Sequence, residues 1–202
     1  VSVNGTVYED ADVYAFVKNN GGKVAVYKEN LYKPMPGYRF IASNTDRSRY
    51  YVGELNGKSS KQAYMDALHI SESNIINQTF HNPLGKMNGQ DICIISLKEV
   101  SGNGLCCYRQ VNDSDVLVLL EEQDYNEILD ETLQRIRRDF NHISGVFSIN
   151  CVFRYLLFSQ EHHMEDYLKT MSTLGDHAGL IGFGEHYNQQ FVNQTMTCVV
   201  FE

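Results

Sequence analysis

The stretch DYNEILDETLQRIRRDFNHISGVFSINC, residues 124–151, indicates the fold class of the chain. In its first part, apolar residues recur at three- and four-residue steps between charged residues, which predicts an amphipathic helix over residues 124–143. The apolar positions of this helix are Tyr125, Ile128, Leu129, Leu133, Ile136, Phe140 and Ile143. The second part, residues 145–151, is a short apolar run and predicts a buried strand. A long helix followed at once by a buried strand indicates a protein built from both kinds of element.

Beyond this stretch, the sequence predicts a second long amphipathic helix over residues 153–173 and a closing strand over residues 190–201. Turn residues upstream predict three hairpins, because Gly, Asn and Asp favour the tight turns that join antiparallel strands. Their strand pairs are 12–17 with 23–28, 39–43 with 49–55, and 91–97 with 105–111. Residues 115–121 predict one more strand of an antiparallel meander. Ser59 or Ser60 caps a short helix that carries Tyr64 and Leu68 on one face.

These elements predict an α+β fold in two lobes, with a largely antiparallel sheet against which two long amphipathic helices pack. Residues 71–85 contain Ser, Asn, Gln, Pro and Gly with little periodicity, a composition typical of a domain boundary. We place the boundary near Asn77, so that residues 1–77 form a first domain and residues 78–202 a second.

The composition favours a folded protein and argues against several classes of partner. Its 202 residues include 17 Lys and Arg against 25 Asp and Glu, for a formal net charge of −8 at pH 7. A nucleic-acid partner is therefore not expected, because such proteins present a basic surface to phosphates. The apolar runs are too short to cross a bilayer, so no membrane contact is expected. The chain begins at Val1 without a charged-then-apolar leader, from which we expect either an excised fragment or a processed product, located in the cytoplasm.

The five cysteines are an odd number with neither CxxC pairs nor histidines at zinc-ligand spacing, so we expect reduced thiols, no metal and no cofactor. Cys151 differs from the others because it ends the predicted strand and precedes a helix, where free backbone N–H groups and the helix dipole stabilise anions. A cysteine in that place either has a lowered pKa and reacts as a nucleophile, or is a small buried apolar side chain. The sequence leaves both interpretations open.

Arg154 interrupts the apolar run that follows Cys151, and a guanidinium there requires an anion if it is buried. We expect its counterpart to be Glu185, which lies with His186 in the glycine-rich segment GLIGFGEHY, residues 179–187. The two charged groups form either a structural salt bridge or opposite walls of a pocket. In the second case Arg154 binds a carboxylate and Glu185 an ammonium group, which together fit an amino acid.

Three ordered motifs resemble the FIST_C domain family. They are VFSINCVFR (146–154), an apolar strand that ends in Cys-x-x-Arg; LIGFGEH (180–186), a glycine-rich turn that ends in Glu; and VNQTMT (192–197), a strand with Asn-x-Thr. Upstream, ELNGK (54–58) resembles the end of the companion FIST_N domain, and NPLG (82–85) resembles the entry to FIST_C. The resemblance therefore assigns residues 1–77 to the C-terminal part of a FIST_N-like domain and residues 78–202 to a FIST_C-like domain.

The resemblance implies an intracellular sensory module for signal transduction, without catalysis, that binds a small ligand such as an amino acid. Bacterial FIST domains accompany signalling output domains, so an output domain or protein is the expected partner. We expect a ligand cleft formed by Arg154, Glu185, His186 and Asn193, with Cys151 at its wall. Two alternatives stay open. One is a hydrolase or transferase with Cys151 as nucleophile and His186 as base; the other is a protein-interaction module, like the F-box-linked relatives, marked by a broad exposed apolar patch.

Overall fold

The computed structural model describes residues 1–89 and 91–202. The strands are β1 (Ser2–Val3), β2 (Thr6–Val7), β3 (Val24–Asn30), β4 (Tyr32–Asp46), β5 (Tyr51–Leu55), β6 (Lys58–Ser59), β7 (Leu84–Asn88), β8 (Asp91–Ile95), β9 (Leu97–Ser101), β10 (Gly104–Cys107), β11 (Val116–Glu122), β12 (Gly145–Cys151), β13 (Asp176–Gly182), β14 (Glu185–Tyr187), β15 (Gln190–Val192) and β16 (Thr195–Phe201). The helices are α1 (Ser60–Leu68), α2 (Ile75–Gln78), α3 (Tyr125–Asp139), α4 (Val152–Gln160) and α5 (Met164–Met171), with 3₁₀ turns at Glu72–Asn74 and Ser172–Leu174.

Eight strands form the larger sheet, and all its pairings are antiparallel. The strand order is β8-β7-β11-β4-β5-β10-β9, with β6 paired to β5. The long strand β4 lies at the centre, and its pairing with β11 shifts register between Val118 and Leu120. Helix α1 packs its buried face, with Tyr64 and Ala67, against this sheet.

The smaller sheet has the order β13-β12-β16-β3 and positions the candidate site. Strands β12 and β13 are parallel, whereas β16 is antiparallel to both β12 and β3. Alternate residues of β12, namely Val146, Ser148 and Asn150, are buried, while Phe147 on the other face is exposed. Helices α3, α4 and α5 contribute to the same hydrophobic cluster as Val146, so they cover this buried face. Residues before and after Asn77 contribute to both sheets, since β3 pairs with β16 and β4 with β11.

The mixed architecture and the antiparallel sheets agree with the predicted α+β class. The helix predicted over 124–143 is α3, which ends at Asp139. Asp124 caps it, because Oδ1 of its side chain accepts the backbone N–H groups of Asn126 and Glu127 at 2.9 and 3.0 Å. The buried strand predicted over 145–151 is found with the same bounds as β12. Both elements were predictable because their apolar periodicity is local information.

The expectation of two long amphipathic helices is wrong. The described residues contain five helices of mixed length, and residues 153–173 are divided between α4 and α5. His162, between them, has a left-handed φ of 54°. Its N–H donates to the Ser159 carbonyl at 3.4 Å, and the N–H of His163 donates to the Phe158 carbonyl at 2.8 Å, which together form a Schellman motif. Glycine usually marks this helix end, so the histidine gave no stop signal in the sequence.

Two of the predicted hairpins differ from the strand pairings in the structure. Residues 12–17 form no strand, and Tyr14 and Phe16 there are 81% and 94% exposed. Strand β3 pairs instead with β16, where its alternate side chains Tyr27 and Glu29 are buried. The turn at 101–104 does join a hairpin, but it connects β9 to β10, while β8 pairs with β7. The hairpin of 39–43 with 49–55 is confirmed as β4 with β5.

Other strands also differ from the predictions. β11 lies between β7 and β4 and not beside β10, so the middle of the chain is not a simple meander. The closing strand predicted over 190–201 is interrupted at Gln194, whose φ of 54° separates β15 from β16. The glycine-rich segment read as a turn contributes to strand β13, which pairs along its whole length with β12.

Within the part of the chain that the structure describes, each helix is too short or too polar to cross a bilayer.

Candidate functional site

The candidate site lies where β12 ends and α4 begins. Cys151 is the last residue of β12 and also the N-cap residue of α4. The first two turns of α4 then place Val152, Phe153 and Leu156 beside Cys151, while Arg154 points into the core. The local sequence order Cys-Val-Phe-Arg therefore divides its side chains between a surface pocket and the protein interior.

A pocket of about 330 Å³ opens beside Cys151. We call it the Cys151 pocket, and its lining residues are Tyr108, Cys151, Val152, Phe153, Leu156, Phe183, Phe191 and Asn193. Tyr108 follows β10, Phe183 lies in the turn after β13, and Phe191 belongs to β15. The rings of Tyr108 and Phe153 contact each other edge to face, with centroids 5.2 Å apart. The pocket is therefore a mainly apolar cavity with few polar groups, the usual character of small-ligand sites.

Of the five residues predicted to form a ligand cleft, Cys151 and Asn193 line this pocket. Sequence reasoning missed the aromatic residues around them, although Phe153 and Phe183 lie inside the quoted motifs. It also missed Arg109, whose Nη1 donates to the Phe191 carbonyl at 2.7 Å and whose guanidinium lies 5.9 Å from the centre of the Phe191 ring. The many aromatic residues in and near the motifs could have indicated an aromatic pocket. Only the fold, however, brings Tyr108 and Phe191 together at this pocket.

Arg154 is not paired as expected. Its Nη2 donates to Oε1 of Glu29 on β3, and both side chains are 1% exposed. The guanidinium also lies over the rings of Phe158 and Tyr167, 4.6 and 5.4 Å from their centroids. Glu185 was expected as its counterpart, but Glu29 is closer because β3 joins the same sheet as β12. Arg154 is thus held inside the core by an anion and two aromatic rings.

Glu185 does not line the pocket and is 3% exposed. Its Oε2 accepts a hydrogen bond from the Thr195 hydroxyl at 3.0 Å, while Oε1 is buried without a partner among the described residues. Burial raises the pKa of Glu185 to about 8, even though the Thr195 hydroxyl and the charge of Arg154 act in the opposite direction. At neutral pH the side chain is therefore mainly a neutral carboxylic acid.

The thiol of Cys151 does not have the environment of an activated nucleophile. Burial raises its pKa, and Glu185 adds to the effect when its carboxylate is ionised, whereas backbone N–H groups nearby act in the opposite direction. His186 follows Glu185 in β14 and points to the other face, where its ring contacts Phe191 with centroids 5.4 Å apart. It lines a different pocket, of about 140 Å³, on the outer face of the smaller sheet. The structure therefore does not bring His186 to Cys151.

Metal binding has no support in residues 1–89 and 91–202, where no three His, Cys, Asp or Glu side chains converge on a point that could hold an ion. The five cysteines are free. The polar groups that line the apolar cavity include the thiol of Cys151 and the carboxamide of Asn193.

The FIST C domain family matches residues 61–188 of the chain. The chain belongs to the FIST C domain family. No curated protein and no solved structure matches it. FIST C is generally a sensory domain family.

The three motifs quoted from the sequence meet at the Cys151 pocket, and the first two lie inside the range that the family matches. The end of the first motif supplies Cys151 and Phe153, the glycine-rich turn supplies Phe183, and the last motif supplies Asn193. Gly184 in the turn has a φ of 108°, and a Cβ atom there would lie 3.0 Å from Oδ1 of Asn193. Glycine at this position therefore allows the turn to pass close to the Asn193 side chain.

Proposed function

We propose that this FIST C protein is a sensory domain whose small-molecule ligand occupies the Cys151 pocket. The observation that carries the proposal is that two segments inside the family match, those of Cys151 and Phe183, and Asn193 just beyond it line one apolar cavity of about 330 Å³. A cavity of about 150 Å³ suffices for benzene, so this one has room for a ring and further atoms. Pockets of this kind, with apolar walls and a few polar groups that fix orientation, are typical ligand sites.

The ligand class that fits best is an amino acid with an apolar side chain, such as phenylalanine. Its side chain would contact the rings of Tyr108, Phe153 and Phe191. Its carboxylate would lie at the beginning of α4, where the helix dipole favours a negative charge. Its ammonium group would lie against the carbonyl oxygen of Asn193. No charged side chain lines the pocket among the described residues, so these weaker polar contacts would orient the ligand.

In this proposal Arg154 and Glu185 shape the site from behind and do not touch the ligand. Arg154 fixes α4 to β3 through Glu29. Glu185 lies next to Cys151, since its carboxylate influences the pKa of that thiol. His186 contributes by holding Phe191 in place through ring contact. These are positioning roles, and they replace the direct contacts expected from the sequence.

We also infer that the domain works inside the cell and passes its signal to an output domain or protein. Five free cysteines fit a reducing compartment. The assignment of residues 1–77 to the end of a FIST_N-like domain is part of the same proposal and rests on the ELNGK segment at 54–58. A nucleic-acid partner is disfavoured by the net charge of −8.

A thermal-shift screen of the full chain against the twenty amino acids tests the proposal. At about one hundred times its dissociation constant, a ligand stabilises the native state by about 2.7 kcal/mol, which corresponds to a rise of about 5 to 10 °C in Tm for a chain of this size. L-phenylalanine should give such a rise. Leu156→Trp, which fills the pocket from an exposed position on α4, should abolish it. Leu168→Trp, at an exposed position on α5 outside the pocket, is the matched control and should retain it.

One observation favours a second candidate, a protein-interaction module. Phe183 at the mouth of the pocket is 93% exposed, and Leu180 and Ile181 just before it are also exposed. If no amino acid raises Tm, or if Leu156→Trp leaves the rise unchanged, the ligand proposal is wrong. A fall in binding of the dye anilinonaphthalene sulfonate in Phe183→Ser would then point to an exposed interaction surface.

A further inference from the structure

The smaller sheet is apolar on both of its faces. Helices α3, α4 and α5 cover the face that carries Val146, whereas the face that carries Phe147 is exposed. We call this exposed side the outer face. In register across the four strands, its apolar residues are Val24, Val26, Phe147, Ile149, Ala178, Leu180, Val199 and Phe201. Strands with apolar residues on both sides are normally covered on both sides, and a contiguous exposed apolar patch marks an interaction surface.

Charged side chains lie only at the margins of the outer face. In the four strands, the charged residues that point to this side are Lys28 and Asp176, which lie at opposite corners. The Lys28 ammonium group is already engaged, since it lies 2.9 Å from Oδ1 of Asp91. The centre of the outer face therefore offers apolar contact and no ion pair.

Residues 1–21 form an arm that adds nothing to the core of its own chain. Every residue of the arm is exposed, and none belongs to the two hydrophobic core clusters. Among the described residues, its hydrogen bonds stay within the arm and the adjoining glycine. The rings of Tyr14 and Phe16 contact each other, with centroids 5.4 Å apart, and are otherwise in solvent. Its base is fixed to the sheet, because the N–H of Lys23 donates to Oε2 of Glu202 at 2.8 Å.

Direct packing of two outer faces against each other would make too small an interface. Four strands about 4.8 Å apart, over about five residues of about 3.3 Å each, span a face of roughly 300 Å². Two such faces bury roughly 600 Å² in total, whereas stable interfaces bury about 1,200 Å² or more. A second apolar surface is therefore needed.

The arm has the size and the chemistry of that second surface. A buried aromatic ring covers about 150 Å² or more, so Tyr14 and Phe16 together cover about 300 Å², the area of one outer face. The face loses the same area, so two reciprocal arms bury about 1,200 Å² in total. The outer face also holds the cavity of about 140 Å³ that His186 lines, and Phe147 and Ile149 form part of its wall. A cavity of about 150 Å³ holds benzene, so this one has room for a single aromatic ring.

We propose that the chain forms a symmetric dimer in which the arm of each copy packs on the outer face of the other. The Phe16 ring of one copy enters the cavity beside Phe147 of the second copy. Both surfaces are exposed in the single chain, and a second copy supplies to each the apolar surface that it lacks. Reciprocal exchange of a segment is a known route to closed two-fold dimers. The apolar residues of the outer face do not line the Cys151 pocket, so the interface is separate from the proposed ligand site.

Sedimentation equilibrium of the full chain tests the dimer. We expect a monomer–dimer equilibrium in the micromolar range, because an interface of this size is at the lower end of stable ones. Phe16→Asp should weaken dimerisation at least about tenfold. Since Phe16 is almost fully exposed in the single chain, this variant keeps its fold. Val7→Asp, at another exposed apolar position of the arm, is the matched control and should leave the dissociation constant unchanged.

Variants of the outer face identify the surface that receives the arm. Phe147→Asp should weaken dimerisation at least about tenfold, while Leu168→Asp, at a similarly exposed position on α5, should not. Phe16→Asp has an intact outer face and Phe147→Asp has an intact arm. An equimolar mixture of the two should therefore dimerise more strongly than either variant alone, because one intact arm meets one intact face.

Three results would overturn the proposal. The first is a monomer at every concentration measured, whether the arm then packs on its own chain or stays in solvent. The second is a dimer that Phe16→Asp leaves intact, as any interface without the arm predicts. The third is a mixture that dimerises no more strongly than its components. Since the amino-acid screen measures Tm and depends on Leu156, failure of one proposal does not imply failure of the other.

Discussion

Arg154 on α4 and Glu29 on β3 form a buried ion pair that connects one wall of the Cys151 pocket to the edge strand of the smaller sheet. Both side chains are almost fully buried, and Nε and Nη1 of Arg154 have no hydrogen-bond partner among the described residues. Aromatic rings of Phe158 and Tyr167 cover the guanidinium. A buried pair with incomplete hydrogen bonding contributes little net stability, yet removing one partner leaves an isolated charge in the core.

Single replacement of either partner should therefore be strongly destabilising. We expect Glu29→Leu and Arg154→Met each to lower the free energy of unfolding by about 3 to 5 kcal/mol, and the double variant to recover most of this loss. Urea denaturation of the wild type, the two single variants and the double variant measures the coupling free energy between Glu29 and Arg154. Losses that simply add in the double variant would mean that the two groups do not interact.

Glu185 should make stability depend on pH. Its pKa is raised from an ordinary value of 4.5 to about 8, first of all by burial. Below the ordinary value both the folded and the unfolded state hold the proton; as pH rises, the unfolded state releases it first and is favoured. The contribution of Glu185 to stability is thus present in full below about pH 4.5 and is lost as pH rises to about 8.

Glu185→Gln mimics the neutral acid and should remove this dependence. Allowing for relaxation and water entry on ionisation, we expect the stability of the wild type relative to Glu185→Gln to fall by on the order of 3 kcal/mol between pH 5 and pH 8.5. Glu131→Gln, an exposed glutamate on α3, is the control and should follow the wild type. Parallel pH curves for Glu185→Gln and the wild type would show that Glu185 is already ionised in the folded protein at pH 5.

Elements with a local pattern were predictable from the sequence, and elements that depend on distant partners were not. α3 and β12 carry their own periodicity and cap, and both were found as expected. Residues 12–17 have an equally strong strand pattern but form no strand, because β3, their expected partner, pairs with β16. Likewise the charge of Arg154 predicted a buried anion, but only the sheet order decides that this anion is Glu29.

His162 ends α4 in a left-handed conformation that favours glycine. For a residue other than glycine, this left-handed conformation is unfavourable by about 1 kcal/mol or more. His162→Gly should therefore raise the free energy of unfolding by about 1 kcal/mol, somewhat offset by the greater freedom of glycine in the unfolded chain. Ser159→Gly, inside the helix, is the control and should lower it by about 0.5 to 1 kcal/mol. Thermal unfolding of both variants measures whether each free energy of unfolding rises or falls. A destabilised His162→Gly would mean that the His162 side chain, and not its backbone conformation, stabilises this helix end.

The candidate site was partly predictable for a related reason. Cys151 was identified because a strand-to-helix junction is visible in the sequence, and Asn193 through the family motif; both line the pocket. Tyr108 and Phe191 were missed because they come from distant strands and carry no pattern of their own. His186 was grouped with Glu185 because they are adjacent in sequence, yet in β14 adjacent residues point to opposite faces.

Cys151 should react slowly with alkylating reagents at neutral pH, which separates a binding domain from a thiol-dependent enzyme. Its pKa is raised by burial and by Glu185, and the thiolate is the form that attacks the reagent. Cys93 is partly exposed and serves as the internal reference. With iodoacetamide at pH 7.5, peptide mass spectrometry should show Cys151 labelled at least about tenfold more slowly than Cys93.

Steric access to Cys151 can be distinguished from its ionisation. Phe183→Ala opens the mouth of the pocket but leaves in place Glu185 and the rest of the protein that buries Cys151. Cys151 should therefore still react more slowly than Cys93 at pH 7.5 and should speed up only as pH rises. The opposite outcome is equally informative. If Cys151 reacts faster than Cys93 at pH 7.5, and His186→Ala slows it, then His186 activates the thiol in solution and the hydrolase or transferase alternative is correct.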